Sequence, residues 1–164
     1  MENKNPVVVV VGVGNGGIGE ALVSRWSSEG FKVAALGRTA EKLDAMSDRV
    51  EGAVSDVDRN VHTYICDCTD GIQIARCVQA ITAELGPIHT LIYNAASVCF
   101  KPLLETTDEE FAVSLATGPQ VSRFPHCHSL STFPTPVIIF SFVSGPISVH
   151  KSVYTWNACT SEHQ

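Results

Sequence analysis

Positive charge is scarce in this 164-residue sequence, where eleven Lys+Arg stand against seventeen Asp+Glu for a formal net charge of -6. The general attraction to phosphate that supports nucleic-acid binding is therefore missing, and no DNA or RNA partner is expected. Long apolar runs are missing as well. Val7–Val11 is the longest near the N-terminus. It is far shorter than a bilayer span, and the residues before it lack the basic flank of a secretory signal. No membrane segment is expected, and the cytoplasm is the expected compartment. Paired Cys-x-x-Cys spacing is also absent. The six cysteines (Cys66, Cys68, Cys77, Cys99, Cys127 and Cys159) scatter through strand- and helix-like segments. Reduced thiols fit this better than a disulfide framework. With 45% hydrophobic and 17% charged residues, the chain fits a single core.

What is present is an alternation of strand and helix signals. Val7–Val11 is a continuous β-branched run, as expected of a strand covered on both faces, and it breaks into Gly12-Val13-Gly14-Asn15-Gly16-Gly17-Ile18-Gly19. Ile18, Ala21, Leu22 and Trp26 then fall at helical spacing, and Gly30 stands where a helix ends. Phe31–Leu36 reads as a second strand, Ala40–Arg49 as a helix behind Thr39, and His62–Cys66 as a third strand ending at Asp67. Asp70 caps a helix with apolar positions Ile72, Ala75, Val78, Ile81 and Leu85, which Gly86-Pro87 stops before a fourth strand, Thr90–Tyr93. Thr107 and Glu110 form a capping box for a helix reaching about Ala116. Such alternation with short links predicts a doubly wound α/β fold on a parallel sheet, since parallel neighbours need a crossover.

The composition then changes. From Thr117 to Gln164 only Arg123, Lys151 and Glu162 are charged, while five of the eight prolines and four of the six histidines lie there. Interior prolines rule out one regular helix over 117–136, and only Val137–Phe142 still reads as a strand. The expected organisation is a nucleotide-binding portion over 1–116 and an atypical tail over 117–164.

Gly12-x-Gly14-x-x-Gly17, between a buried strand and a helix, is the pattern a pyrophosphate requires. One glycine permits the tight turn, one lets the backbone approach the phosphates, and one lets the helix pack on the strand. The helix N-terminus adds unpaired N–H groups and partial positive charge. The second strand ends Leu36-Gly37-Arg38. An NAD site would place a carboxylate there for the ribose 2′-hydroxyl. A guanidinium pairs instead with a 2′-phosphate, so NADP is favoured over NAD. The missing acid also argues against a methyltransferase that binds S-adenosylmethionine.

Taken with Cys66-Asp67-Cys68-Thr69-Asp70 and Leu85-Gly86-Pro87-Ile88-His89-Thr90-Leu91-Ile92-Tyr93-Asn94-Ala95-Ala96, the sequence over about 7–116 resembles the short-chain dehydrogenase/reductase family. The resemblance implies a Rossmann-type sheet, here incomplete, with about five strands in the order 3-2-1-4-5. It implies hydride transfer between NADP(H) and a carbonyl or alcohol. Gly17-Ile18-Gly19 would hold the pyrophosphate, Asp67 would contact adenine, and Asn94-Ala95 would line the adenine-ribose side. When Gly17 and Gly19 are aligned with the family, its first glycine falls on Val13, so Gly12 or Gly14 must serve.

The family's catalytic set is a Tyr, a Lys four residues later, a Ser from the end of strand five and an Asn in the preceding helix. In this sequence Tyr154 and a displaced Ser141 are the candidates. Ala158 occupies the lysine position, and no Asn lies between Asn94 and Asn157. His126-Cys127-His128 does not have metal-ligand spacing, and no metal site is expected. The family's later strands and helices are missing, so a truncated product, frame-shifted or alternatively spliced, is expected. Three readings stay open: an NADP(H)-dependent oxidoreductase, a nucleotide-binding module without turnover, and a fragment that does not fold stably. The substrate is a small molecule that the sequence does not identify, and a homo-oligomer stays open.

Overall fold

The computed structural model describes residues 5–52, 60–97, 99, 101–117 and 137–139. Four parallel strands, β1 (Val7–Val11), β2 (Lys32–Gly37), β3 (Val61–Ile65) and β4 (Ile88–Tyr93), lie in the order β3-β2-β1-β4. A three-residue strand, β5 (Val137–Ile139), pairs in parallel with β4 over Leu91–Tyr93. Of the strand expected over 137–142, residues 140–142 lie outside the described residues. The crossovers are α1 (Ile18–Ser28), α2 (Ala40–Gly52) and α3 (Gly71–Leu85), with α4 (Asp108–Thr117) following a single 3-10 turn at Leu103–Glu105. No described helix is long and apolar enough to cross a membrane.

The five valines of β1 show why that run has no polar position. Successive side chains alternate between the two faces of the sheet. Val7, Val9 and Val11 join the core under α3, with Ile74, Val78, Ile81 and Leu85. Val8 and Val10 join the opposite core, with Val23, Leu43, Met46 and Val50 from α1 and α2. Central position is the reason: β1 pairs with β2 on one side and β4 on the other, so both faces are covered.

Two helical faces differ in part from the expected ones, although Val78, Ile81 and Leu85 of α3 are buried as expected. In α3 the buried stripe is Ile74, Val78, Ile81 and Leu85, while Ile72 is 66% exposed. The spacing of four, three and four residues tracks one side of a 3.6-residue helix more closely than a stripe that includes Ile72. In α1 Leu22 and Trp26 pack against the core as expected, but the fully buried residues are Gly19 and Val23, and Ile18 and Ala21 are exposed. Gly19 packs closely on the glycine turn that follows β1, as described below. Two of the expected caps formed. Asp70 accepts from the amides of Ile72 (2.8 Å) and Gln73 (3.3 Å), and Thr107 and Glu110 exchange side-chain-to-amide bonds at 3.1 and 3.2 Å.

Candidate functional site

In an open parallel sheet ligands bind outside the carboxyl ends of the strands, where the chain order reverses. Here that place lies above β1, between β2 and β4. Four sequence-distant segments converge there on one cleft: Gly12-Val13-Gly14 after β1, Arg38-Thr39 after β2, Cys66-Asp67-Cys68-Thr69 after β3, and Asn94-Ala95-Ala96 after β4. Lys42, in the first turn of α2, and Thr117, at the end of α4, complete the wall.

Backbone bonds lock the segments together. The amides of Gly12 and Val13 both donate to the Leu36 carbonyl, at 3.0 and 2.9 Å, and the Cys66 amide donates to the Gly37 carbonyl at 2.8 Å. The Asn94 amide donates to the Val11 carbonyl at 2.9 Å. Its side-chain Nδ2 donates to the Gly12 carbonyl, also at 2.9 Å. Asn94 is thus committed to holding the glycine turn against the end of β4.

The glycines divide their work differently from the expectation. Gly12 has φ +86°, and a Cβ there would lie 2.4 Å from the backbone of Ala95. Close helix-to-strand packing belongs to Gly19 rather than Gly17. A Cβ on Gly19 would lie 2.8 Å from the Gly12 carbonyl oxygen, whereas around Gly17 no atom lies within 4 Å. Gly17 is needed for its φ of +85°, as Gly16 is for +82°. Gly14, which is not in that left-handed region, also has no atom within 4 Å of a Cβ position, so its surface is open for a ligand to approach. Gly37 was missed: a Cβ there would meet the Val13 carbonyl oxygen at 2.4 Å. The signal was a glycine ending a buried strand beside the glycine turn.

Glu20, in the first turn of α1, was also missed. One carboxylate oxygen accepts the Gly16 amide at 2.6 Å, and Arg49 of α2 donates to both oxygens at 3.0 and 2.6 Å. The Arg49 bond, followed by that from Gly16, holds the Glu20 carboxyl below its ordinary range. A negative oxygen therefore already sits on an amide of the loop, as the field at a helix N-terminus favours.

Asp67 is held by its own turn, accepting the Thr69 amide at 2.9 Å and the Thr69 hydroxyl at 2.7 Å on one oxygen. Those bonds, helped by the charge of Arg38, keep it ionised below the usual carboxylate range. Of the residues expected to bind a cofactor, Gly12, Gly14, Arg38, Asp67, Asn94 and Ala95 line the cleft. Gly17 and Ile18 stand exposed at the start of α1, and Gly19 is buried behind them. Tyr154 and Ser141 lie outside the described residues. No group of three or more His, Cys, Asp or Glu that could hold a metal ion occurs among the described residues.

The sequence pattern of the family described as short chain dehydrogenase matches residues 6–119. The chain belongs to this family. D-threitol dehydrogenase of Mycolicibacterium smegmatis is 29% identical over 111 residues, a match covering 67% of this chain and 40% of that protein. NADPH-dependent 1-acyldihydroxyacetone phosphate reductase of Schizosaccharomyces pombe is 29% identical over 104 residues, covering 63% of this chain and 32% of its own. The chain therefore spans well under half the length of these relatives. Among solved structures, a short chain dehydrogenase from Mycobacterium smegmatis superposes with a TM-score of 0.72 at 20% identity, over 83% of this chain and 57% of that one. The short-chain dehydrogenase fold read from the sequence is thus the fold found, and the family is one of oxidoreductases.

Proposed function

We propose that this short-chain dehydrogenase binds NADP(H) in the cleft above β1 and transfers a hydride between it and a carbonyl or alcohol substrate. The observation that carries the choice of nucleotide is the cationic end of β2. Arg38 and Lys42 line the cleft where a carboxylate would otherwise receive a ribose 2′-hydroxyl. The residues present fit such a ligand. Gly14, Gly16 and Gly17 leave their outward faces open, and the Gly16 amide already binds an anionic oxygen. The start of α1 would hold the diphosphate, Arg38 and Lys42 the 2′-phosphate, and Asp67 with Asn94-Ala95 the adenosine side. When bound, the dinucleotide supplies or accepts the hydride. An NADPH-dependent reductase among the relatives supports the same choice.

A fluorescence titration tests this. NADPH should bind more tightly than NADH, and Arg38→Ala should weaken NADPH about ten- to hundredfold, the loss of one charge-assisted contact of ~1.5–3 kcal/mol, with NADH unaffected. Equal or tighter NADH binding would overturn the assignment. NADPH oxidation against a panel of carbonyl compounds, abolished by Tyr154→Phe, would support turnover. A second reading, nucleotide binding without turnover, is favoured by Ala158 at the position four residues beyond Tyr154. The lysine that would lower the tyrosine pKa toward working pH is not there.

A further inference from the structure

Three cysteines meet where the end of β3 faces α3. Cys66 and Cys68 are buried, flank Asp67 and line the cleft. Cys77, part-exposed on α3, packs against the core cluster that contains both. The Cys77 thiol donates to the Ile65 carbonyl oxygen at 3.6 Å, which sets its sulfur against the backbone just before Cys66 at the end of β3. Helical register explains the meeting. Cys77 stands three residues after buried Ile74 and one before buried Val78, on the flank of the stripe that α3 presses onto the sheet. Cys68 has a different partner, the Tyr93 side chain.

The two paired thiols are unequal. The neighbouring Cys66 thiol holds Cys77 below the usual thiol range, while Cys77 and burial push Cys66 upward. Cys77 is also the more accessible of the two sulfurs, so it is the one an oxidant reaches first, with the buried Cys66 beside it as the resolving thiol.

We propose that Cys66 and Cys77 form an oxidisable dithiol, which a peroxide converts to a disulfide tying the end of β3 to α3 at the wall of the cleft. The Cys77 thiolate attacks one peroxide oxygen. The O–O bond breaks, Cys77 becomes a sulfenic acid, and the hydroxide released takes up the proton that Cys77 had lost. The Cys66 sulfur then attacks the Cys77 sulfur. The S–S bond forms, the S–O bond breaks, and the departing hydroxide leaves as water with the Cys66 proton. Two thiols lose two electrons and two protons, and one peroxide becomes two waters.

Trypsin cuts after Arg59, Arg76 and Arg123, but not at Lys101, which precedes proline, so Cys66 and Cys77 fall on separate peptides, 60–76 and 77–123. The full chain is treated with hydrogen peroxide, remaining thiols are blocked with N-ethylmaleimide, and the digest is read by mass spectrometry without reduction. The expected result is a joined 60–76/77–123 peptide that survives Cys68→Ser and Cys99→Ser and is lost in Cys77→Ser. If the joined peptide is absent from oxidised wild type, or lost with Cys68→Ser or Cys99→Ser, the proposal is overturned. Cys66→Ala should also lose it, and should that variant fail to fold, the part-exposed Cys77→Ser and the Cys68→Ser control still decide. Iodoacetamide at neutral pH should alkylate Cys77 about tenfold faster than Cys68; equal rates would remove the nucleophile. No readout requires a nucleotide, so failure here is separate from failure of the proposed cofactor site.

Discussion

Replacing Gly12 by alanine places a methyl group where β1, the glycine turn and the end of β4 come closest. Two costs arise together. The backbone at Gly12 has φ +86°, and an L-residue held in the left-handed region costs about 1–2 kcal/mol. The new Cβ would also lie 2.4 Å from both Cα and N of Ala95. Those are backbone atoms that cannot rotate away, and Asn94 next to them is tied to Gly12 by its own side chain. Overpacking of this kind costs about 1–3 kcal/mol. The sum, about 2–5 kcal/mol, is a large part of the ~5–15 kcal/mol available to a domain. With a urea slope of about 2 kcal/mol per molar, the unfolding midpoint should fall by about 1–2.5 M. Gly14→Ala is the matched control. Its backbone lies outside the left-handed region and no atom lies within 4 Å, so its midpoint should stay put or rise by the ~0.4–1 kcal/mol that glycine removal gives through the unfolded chain. Circular dichroism across a urea series measures both. An unchanged Gly12→Ala midpoint would mean that the turn relaxes away from Ala95, and the close-approach reason for glycine at this position would be wrong.

Three other outcomes are expected. Glu20→Gln removes the negative charge from the Gly16 amide, so NADPH should bind more tightly by fluorescence titration; weaker binding would mean that Glu20 supports the loop instead of competing with an anion. Ile74→Ala should cost ~2–5 kcal/mol while Ile72→Ala stays within about 0.5 kcal/mol, because Ile74 is fully buried and Ile72 is 66% exposed; comparable urea midpoints for the two would refute the buried stripe of α3. Burial, the largest influence, holds His62 below its ordinary pKa against attraction from Glu84, with a push from Lys32 and a weaker attraction from Glu51. A histidine depressed in the folded state contributes stability above its unfolded value, near 6.5, that is lost as pH falls through the folded value. The urea midpoint should therefore drop as pH falls below about 6.5. That drop should shrink in His62→Asn, and an identical pH profile in the variant would exclude His62 as its source.

Much of the architecture was legible because it rests on local signals. The uninterrupted valines announced a strand covered twice, and Asp70 and the Thr107/Glu110 box marked helix starts that formed as read. Boundaries shifted by a residue or two, as where β4 begins at Ile88 instead of Thr90, because pairing with β1 extends a strand beyond its own apolar run. The cleft was legible in part. Gly12, Arg38, Asp67 and Asn94 each stand just after a strand, and parallel strands bring their carboxyl ends to one edge. Glu20 with Arg49, and Cys66 with Cys77, were not legible as pairs, since each joins side chains from different elements at a distance that spacing along the chain does not encode.

Order of elements, the glycine-rich turn and the absence of an acid after β2 are properties of the chain itself, because strand and helix periods and turn chemistry act over a few residues. Which glycine bears which constraint was decided only by the packed molecule. Gly19 and Gly37 are constrained by carbonyl oxygens of the turn, Gly12 by the backbone after β4, and Gly14 by nothing. A Cβ is permitted or forbidden by atoms that arrive from elsewhere in the fold, and no local pattern carries their positions.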